Sequence, residues 1–462
     1  MKKREVVFIV VTVLVLSCLT LGGPGDRVTK PDLYKQYETF SRIVSSIQAN
    51  YVEDVETEKL FYGAYEGMLQ KLDPYSAFLP PEEKENLEIE TKGEFGGLGI
   101  EITLDKHGVL SVVVPLEETP AFRAGVLAGD KIIKIEGQST KGITTREAVK
   151  KLRGLKGKPV TITVLHEDGT IEDITIIRDI IKLRSVKDPR LVDEKHKIGY
   201  IRLSQFQQNS AKDLDKAVEK LTGQGMRALV LDLRTNPGGL LTAAIEVTDR
   251  FLGKGLIVST KGRRSRPRAY KATPGNTYDN FPLAVLVSPR SASASEILAG
   301  AIQDHKRGVI VGMRTFGKGS VQTLLRLQDG KAAIRLTTAY YYTPAGRLIH
   351  RNFNDPKQKE WGIDPDHEVK LSPKEEVALW KHWRDEHIRR ARERDEGRKN
   401  NGAKPDDKKP PGKPKPDPNK TDDETDKKEK FHDRTLETAI GALKAMLIDR
   451  EQAAQGAKEA AK

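Results

Sequence analysis

The sequence predicts a multidomain α/β (α+β) protein with a layered α/β core, an inserted β-rich module and helical regions at both ends. Residues 198–342 alternate between short apolar strand-like runs and helical segments. Residues 93–178 contain short runs rich in Val and Ile, separated by Gly, Pro and Asp turns. With 462 residues, the chain has room for two or three folded domains plus tails.

The N-terminus, residues 1–22, has the pattern of an export signal. Lys2, Lys3 and Arg4 precede an apolar run that extends from Val6 to Leu21. A cleaved signal peptide, a membrane-retained signal anchor and a lipoprotein signal all fit, the last because Cys18 ends a weak lipobox. Each predicts export to the bacterial periplasm or cell envelope, and the last two also predict membrane association.

A helical region is predicted for residues 30–90. Phe40, Ile43, Val44 and Ile47 recur at helical spacing, in a pattern that extends from Leu33 to about Gln70. The β-rich module follows over residues 91–178, with a short helix from Thr145 to Leu152.

The α/β core is predicted over residues 179–372. Continuous apolar runs such as Ala228 to Leu233 and Leu283 to Ser288 are typical of strands with both faces covered. Other core strands are expected at 198–203, 309–311 and 332–342, and helices at 210–221, 240–251 and 294–305.

Beyond the core the composition becomes hydrophilic. Residues 373–432 predict a charged linker that is partly disordered, because Asn400 to Lys430 is dominated by Lys, Asp, Pro and Gly. A final helix is predicted within residues 433–462, since Leu436, Ile440, Leu443 and Leu447 share one face. That face can dock on the core or on another subunit.

Composition excludes several classes of function. Cys18 is the only cysteine, so neither a disulfide framework nor Cys-ligated zinc is possible within one chain. The nine histidines lack metal-ligand spacing, and His382 and His387 are interpreted as solvated helix residues. No metal and no cofactor is predicted. The net charge of +13 favours anionic surfaces, but no arginine-rich block interleaves with aromatics, so nucleic acid is not a predicted partner.

The first candidate motif is S-A-S-A-S-E at residues 291–296, between a predicted strand and a predicted helix. A serine there lies near the N–H groups and positive dipole of the first helical turn, which favour a developing anion. The spacing of Ser293 and Glu296 is also that of a helix capping box. The residues alone leave both interpretations open.

The second motif is T-F-G-K-G-S-V-Q at residues 315–322. A lysine between glycines is ordinarily a solvated turn residue, but burial favours its neutral form, which can accept the proton of a serine. The segment from Gly312 to Lys318 nearly matches a phosphate-binding loop. Gly319 stands where Ser or Thr should follow, and a strand-like pattern comes next, so a phosphate site is not predicted.

The third motif is D-L-R-T-N-P-G-G at residues 232–239, which follows a predicted strand. Its glycines allow backbone N–H groups to approach a ligand closely, and they also fit a simple tight turn.

Together, in this order and with these separations, the three motifs resemble those of the carboxyl-terminal processing (tail-specific) peptidases over about residues 40–369. Residues 72–75, L-D-P-Y, resemble a further segment of that family. The resemblance implies an exported serine endopeptidase with a core of the crotonase/ClpP-like type and a Ser–Lys dyad that forms an acyl-enzyme.

The resemblance also implies a role for each motif residue. Ser293 is the nucleophile, Lys318 is the general base, and Gln322 orients the lysine. The backbone N–H groups of Gly239 and Ala294 form the oxyanion hole. The flanking serines of the first motif, 291 and 295, serve the turn and the helix start.

The β-rich module resembles a PDZ domain. Gly97, Leu98, Gly99 and Ile100 match its carboxylate-binding loop, and a bound peptide then adds as a strand to the sheet edge. The implied partners are protein or peptide substrates with accessible C-terminal tails, which the module recruits or uses to gate the core. A homo-oligomer, an adaptor or an activator protein is also compatible with the family.

Three other interpretations remain. The first is a catalytically silent PDZ protein of the envelope that only binds tails. The second is a hydrolase with a Ser–His–Asp triad, although His305 would lie about 18 Å from Ser293 at roughly 1.5 Å per helical residue. The third is an envelope scaffold that acts through its charged tail.

Overall fold

The computed structural model describes residues 30–264, 266–275, 277–327, 330–355, 357–401 and 431–460. The chain divides into two compact units, one ending at Pro80 and the other beginning at Pro81. The predicted signal segment, 1–22, and residues 402–430 of the predicted linker, 373–432, lie outside the described residues. Within those ranges, no helix combines the length and the apolar character needed to cross a bilayer.

The first unit contains α1 (Lys30–Asn50), α2 (Thr57–Gln70) and β1 (Ala77–Leu79). The helical pattern expected from Leu33 to Gln70 is thus divided, because residues 51–56 are not helical. Aromatic contacts hold the unit together, since the rings of Tyr62 and Tyr65 lie 4.8 and 5.1 Å from that of Phe78.

The second unit begins with the β-rich module. Its elements are, in chain order, α3 (Pro81–Lys92), β2 (Glu94–Gly97), β3 (Ile100–Leu104), β4 (Leu110–Pro115), α4 (Pro120–Arg123), β5 (Lys131–Ile135), β6 (Gln138–Ser139), α5 (Thr145–Leu152), β7 (Pro159–Leu165), β8 (Ile171–Ile177) and β9 (Asp179–Lys182). The main sheet has the order β3-β4-β5-β7-β8, β6 pairs with β5, and β2 pairs with β9. Alternate residues such as Val160, Ile162 and Val164 are fully buried, as expected for strands with one face on a core.

The α/β core follows. Its elements are β10 (Val186–Asp193), β11 (Ile198–Leu203), α6 (Ser210–Gly223), β12 (Ala228–Asp232), α7 (Leu241–Asp249), β13 (Leu256–Lys261), β14 (Arg268–Lys271), β15 (Leu283–Val287), α8 (Ala294–Asp304), β16 (Val309–Gly312), β17 (Ser320–Arg326), β18 (Ala333–Tyr342) and β19 (His367–Glu368). The main sheet has the order β10-β11-β12-β15-β16-β19 and is parallel from β11 onward. A second, antiparallel sheet contains β13, β14, β17 and β18.

Side chains of the main sheet alternate between two apolar layers. Leu229 and Leu231 face the layer that also contains residues of α6, α7 and α8. Ala228 and Val230 face the opposite layer, with Leu443 of the C-terminal helix. Both faces are therefore covered, which explains why the core strands are continuous apolar runs.

The C-terminal region contains α9 (Pro373–Asn401) and α10 (Arg434–Ala460). The apolar face of α10 docks on the core sheet, which is one of the two placements that its sequence pattern allows. His382 lies on α9, as expected for a helix residue, but it is only partly solvated, because its ring stacks on Phe431 with the centroids 4.6 Å apart. His387 lies near the β-rich module, with Nε2 3.6 Å from Glu101 Oε2.

Candidate active site

Ser293 lies in the sharp turn between β15 and α8, immediately before the helix. Its φ of 56° and ψ of −110° are unusual for a residue with a side chain. Such a conformation costs on the order of 1–3 kcal/mol, and surrounding structure must maintain it. The residue is 8% exposed and therefore almost buried.

The two flanking serines hold this turn in place. The Ser291 hydroxyl donates to the carbonyl oxygen of Leu233 at 2.8 Å, and the Ser295 hydroxyl donates to that of Asn236 at 2.9 Å. Both bonds connect the turn to the segment that follows β12. They match the turn role that the sequence predicts for these two serines.

Glu296 connects the serine turn to the lysine loop through a fully buried carboxylate. Its Oε2 accepts from the backbone N–H of Ser293 and of Lys318, both at 2.8 Å. Its Oε1 accepts from the Thr315 hydroxyl and the Gly317 N–H, both at 2.6 Å. The backbone nitrogens of Ser293 and Lys318 therefore lie within about twice a hydrogen-bond length of each other.

Burial raises the pKa of the Glu296 carboxyl, whereas its four hydrogen bonds act in the opposite direction because they stabilise the ionised form. The sequence assigns Glu296 only to a capping box. The bond from the Ser293 N–H is one arm of that box, but the other three donors come from a loop about twenty residues later in the chain. Sequence spacing gave no signal for this bridging role.

The Lys318 side chain is half-buried in the loop before β17. Burial lowers its pKa, the nearby Arg335 lowers it further, and Glu296 partly opposes the shift. The adjacent glycines permit close packing of the loop, since a Cβ on Gly319 would lie 2.4 Å from the backbone nitrogen of His350. Lys318 is therefore not the solvated turn residue that a lysine between glycines ordinarily is.

Gln322 lies on β17, next to a β-bulge at Val321. Its amide nitrogen donates to the Ser320 hydroxyl at 2.8 Å and to the Thr337 hydroxyl at 3.3 Å. These two bonds fix the orientation of the amide group. A bulge reorients a side chain in this way without interrupting the strand.

Gly238 and Gly239 pass directly beside the serine. A Cβ on Gly238, where φ is 105°, would lie 2.8 Å from the Cβ of Ser293. A Cβ on Gly239, where φ is 145°, would lie 2.1 Å from the carbonyl oxygen of Phe206. Within the described chain, neither the Gly239 N–H nor the Ala294 N–H donates to another group. Both predicted oxyanion donors thus lie at the serine turn or against it.

Asn236 fixes the glycine turn and was not singled out from the sequence. Its fully buried amide donates to the Leu203 carbonyl at 2.8 Å and accepts from the Gly238 N–H at 2.9 Å. Its own carbonyl accepts from Ala292 N–H at 3.1 Å. Its sequence signals are its place in the third motif and the strong preference of Asn for turns.

The predicted carboxylate-binding loop lies between β2 and β3. Gly97 and Leu98 are buried, and the carbonyl of Gly99 accepts from the Leu116 N–H at 2.8 Å and the Thr119 hydroxyl at 3.1 Å. Strand β3 begins at Ile100, which is partly exposed, and it is the last strand at its edge of the sheet. An edge of this kind can accept a further strand.

His305 is engaged elsewhere. It follows the last residue of α8, and its Nε2 lies 2.7 Å from the Leu256 carbonyl oxygen. Among the described contacts, the imidazole makes none with Ser293.

Comparison with family models gives three matches. The model described as peptidase family S41 matches residues 197–369, and a PDZ domain model matches residues 111–165. A model described as the activating protease CtpB N-terminal domain matches residues 25–83. The PDZ resemblance and the predicted fold class are both confirmed.

Individual relatives agree with these matches. The chain is 44% identical over 354 residues to a carboxy-terminal-processing protease of Bartonella bacilliformis. The aligned residues cover 75% of this chain and 80% of that protein. The chain is 41% identical over 324 residues to a carboxyl-terminal-processing protease of a Picosynechococcus species, with 69% and 75% covered. Among solved structures, a photosystem II D1 C-terminal processing protease is 31% identical, with a TM-score of 0.42 and coverage of 73% of this chain and 86% of that one.

The substitution Glu296→Gln tests the bridging carboxylate. The amide NH₂ would replace one acceptor oxygen and leave two buried donors without a partner, at about 1–3 kcal/mol each. We expect the free energy of unfolding, measured by urea denaturation, to fall by about 2–6 kcal/mol. Glu246→Gln, on the exposed side of α7, is the matched control and should change it by less than about 0.5 kcal/mol. Equal stability of the two variants would contradict the bridging role.

Proposed function

Because the chain belongs to the carboxyl-terminal processing proteases of peptidase family S41 and carries a PDZ domain, we propose that it is an exported serine endopeptidase with a Ser293–Lys318 dyad. The observation that supports the dyad most directly is the shared Oε2 of Glu296, which accepts from the backbone N–H of both residues. Neither a metal nor an organic cofactor enters the proposed reaction.

The first step is attack by the Ser293 hydroxyl on the carbonyl carbon of the substrate peptide bond. Neutral Lys318 accepts the hydroxyl proton as the new C–O bond forms. Burial lowers the pKa of Lys318, so its neutral form is more abundant than that of an exposed lysine. The unusual backbone angles at Ser293 place the nucleophile in a turn outside the regular helix that follows.

The negative charge that develops on the carbonyl oxygen is stabilised by the N–H groups of Gly239 and Ala294. Both are preorganised, because packing fixes the glycine turn and α8 fixes Ala294. The C–N bond then breaks, and Lys318 transfers its proton to the leaving amine. A water molecule attacks the resulting acyl-Ser293 ester while Lys318 accepts its proton, which is then returned to Ser293.

Gln322 orients the base in this account. Its amide nitrogen is held by the hydroxyls of Ser320 and Thr337, so that its carbonyl oxygen is available to accept from the Lys318 ammonium or amine. Gln322 itself moves no proton, because a carboxamide does not titrate near neutral pH.

The PDZ domain supplies substrate recognition. The Gly97–Ile100 loop would hold the terminal carboxylate of a protein tail, and the tail would pair with β3. We assign residues 91–178 to this domain, 179–372 to the peptidase core, 30–90 to a helical region, 373–432 to a charged segment that contains α9 and links the core to α10, and 433–462 to the C-terminal helix. Export, with or without an anchor, rests on the segment 1–22.

Cleavage of a loosely folded reporter with an apolar C-terminal tail tests the dyad. Ser293→Ala and Lys318→Ala should each lower kcat by at least about 10³-fold, because nucleophile and base act as one unit. Lys254→Ala, on the exposed surface, should retain wild-type kcat. Circular dichroism should show intact folding in all three. Wild-type turnover by either dyad variant would exclude that residue from its assigned role.

The pH dependence of kcat/KM gives a separate test of Lys318. Only the neutral amine accepts the serine proton, so activity should rise with pH through the pKa of Lys318. Because that pKa is lowered, the midpoint of the rise should fall below 10.5, the ordinary value for lysine. A midpoint at or above the ordinary value, or a fall in activity over this range, would contradict a buried lysine base.

The substitution Gly99→Ala tests the carboxylate-binding loop. A Cβ there would lie 2.3–2.5 Å from atoms of Thr119, so the loop must shift. In the Ser293→Ala background, we expect a fluorescent tail peptide to bind roughly tenfold more weakly, which is about 1.4 kcal/mol. Gly108→Ala is the control, because it has a similar positive φ but no atom within 4 Å of the added Cβ. Equal affinity of both variants would exclude the loop from tail binding.

A further inference from the structure

Arg234 follows β12 and is the largest fully buried side chain among the described residues. Its guanidinium donates to the Asp232 carboxylate, with Nη2 2.7 Å from Oδ2. It also forms a bidentate pair with Asp433, in which Nη1 and Nη2 each lie 2.8 Å from a carboxylate oxygen. A bidentate pair of this kind fixes the guanidinium in orientation as well as in position.

Asp433 belongs to the C-terminal region, 199 residues later in the chain. It also begins α10, because its Oδ1 accepts from the Leu436 N–H at 3.1 Å and its carbonyl accepts from the Glu437 N–H at 2.9 Å. The indole of Trp383, on α9, lies 5.3 Å from the guanidinium carbon of Arg234. Both C-terminal helices therefore converge on one buried arginine.

Arg234 is also the residue before the glycine turn that contains Gly239. Thr235, next in sequence, has a φ of 67°, a strained value for a residue with a branched side chain. On the other side of Arg234, the carbonyl oxygen of Leu233 accepts from the hydroxyl of Ser291. The turn is thus held at its start by Arg234 and at its end by the bonds of Gly238 and Leu240 to Phe206.

A buried ion pair is weak evidence for stability, because the cost of desolvating two charges offsets much of their attraction. A geometric role explains the pair of Arg234 with Asp433 better. The bidentate contact restrains Arg234, which immediately precedes the glycine turn. Asp232 alone would hold the guanidinium through Nε and Nη2 but would leave Nη1 without its carboxylate partner, so the guanidinium would be less firmly fixed.

We propose that Asp433 is a positioning residue of the peptidase site, which acts through Arg234 to fix residues 235–239 and thereby the Gly239 N–H of the oxyanion hole. The docked C-terminal segment is then required for full catalytic rate although it contributes no group to the chemistry. This inference rests on the proposed function, because only an acyl-transfer site needs that N–H in place.

The test compares full-length wild type, Asp433→Asn and Asp433→Glu. Asp433→Asn removes the charge without changing size, and Asp232 still pairs with Arg234, so the fold should persist. Glu451→Gln is the matched control, because Glu451 also lies on α10 and pairs with Arg227 of the core, but in an exposed ion pair. Two experiments are made: steady-state kinetics on the reporter, which give kcat and KM, and hydrogen–deuterium exchange of the peptide that spans residues 233–240.

We expect Asp433→Asn to lower kcat by roughly 10- to 100-fold, because small misplacements of a catalytic group have effects of this size. KM should stay within about twofold, since tail binding occurs elsewhere, and exchange over 235–239 should become faster. Asp433→Glu should recover part of the rate, and Glu451→Gln should match wild type. A merely structural role would lower the folded fraction, while kcat per folded molecule and exchange over 235–239 would stay at wild-type values.

Wild-type kcat and exchange in Asp433→Asn, with Ser293→Ala inactive, would overturn the positioning role and leave the peptidase assignment intact. Absence of cleavage by wild type would instead overturn the proposed function. In that case exchange alone decides, because faster exchange over 235–239 supports the restraint by Asp433 and unchanged exchange refutes it.

Discussion

A buried carboxylate with four hydrogen-bond donors is the interaction on which the candidate site depends. Glu296 accepts from the serine turn and from three groups of the lysine loop, and these two segments share few other polar contacts among the described residues. Without the carboxylate, each of these buried donors would have no acceptor. The carboxylate therefore couples the position of Ser293 to that of Lys318. A dyad needs such coupling, since proton transfer requires both groups within hydrogen-bond reach.

The strain at the site is maintained by the apolar core beneath it. Ser293 and Thr235 both have positive φ, and each is joined to well-packed strands, β15 and β12. Those strands are covered on one face by α6, α7 and α8 and on the other by α10. Strained backbone persists only where the surroundings over-determine it. The C-terminal helix therefore supports the site through packing as well as through Asp433.

Sequence reasoning succeeded where the signal was local. The strand at 198–203 was predicted with its observed limits, and most other core elements agree within two residues, because continuous apolar runs indicate strands covered on both faces. It missed contacts between distant segments. Glu296 was interpreted as a local cap, and the pair of Arg234 with Asp433 spans 199 residues, so neither spacing nor composition could indicate it. The break at residues 51–56 was also missed, because a helical pattern continues on both sides of it.

The proposed mechanism requires that Ser293 becomes covalently acylated during turnover. Rapid acid quenching of wild-type protein with an activated peptide ester, followed by proteolytic digestion and mass spectrometry, measures this directly. We expect an acyl group on Ser293 alone, none on Ser291 or Ser295, and no adduct in Ser293→Ala or Lys318→Ala. Turnover of the ester with the acyl group on another residue, or an adduct of equal yield in Lys318→Ala, would contradict it.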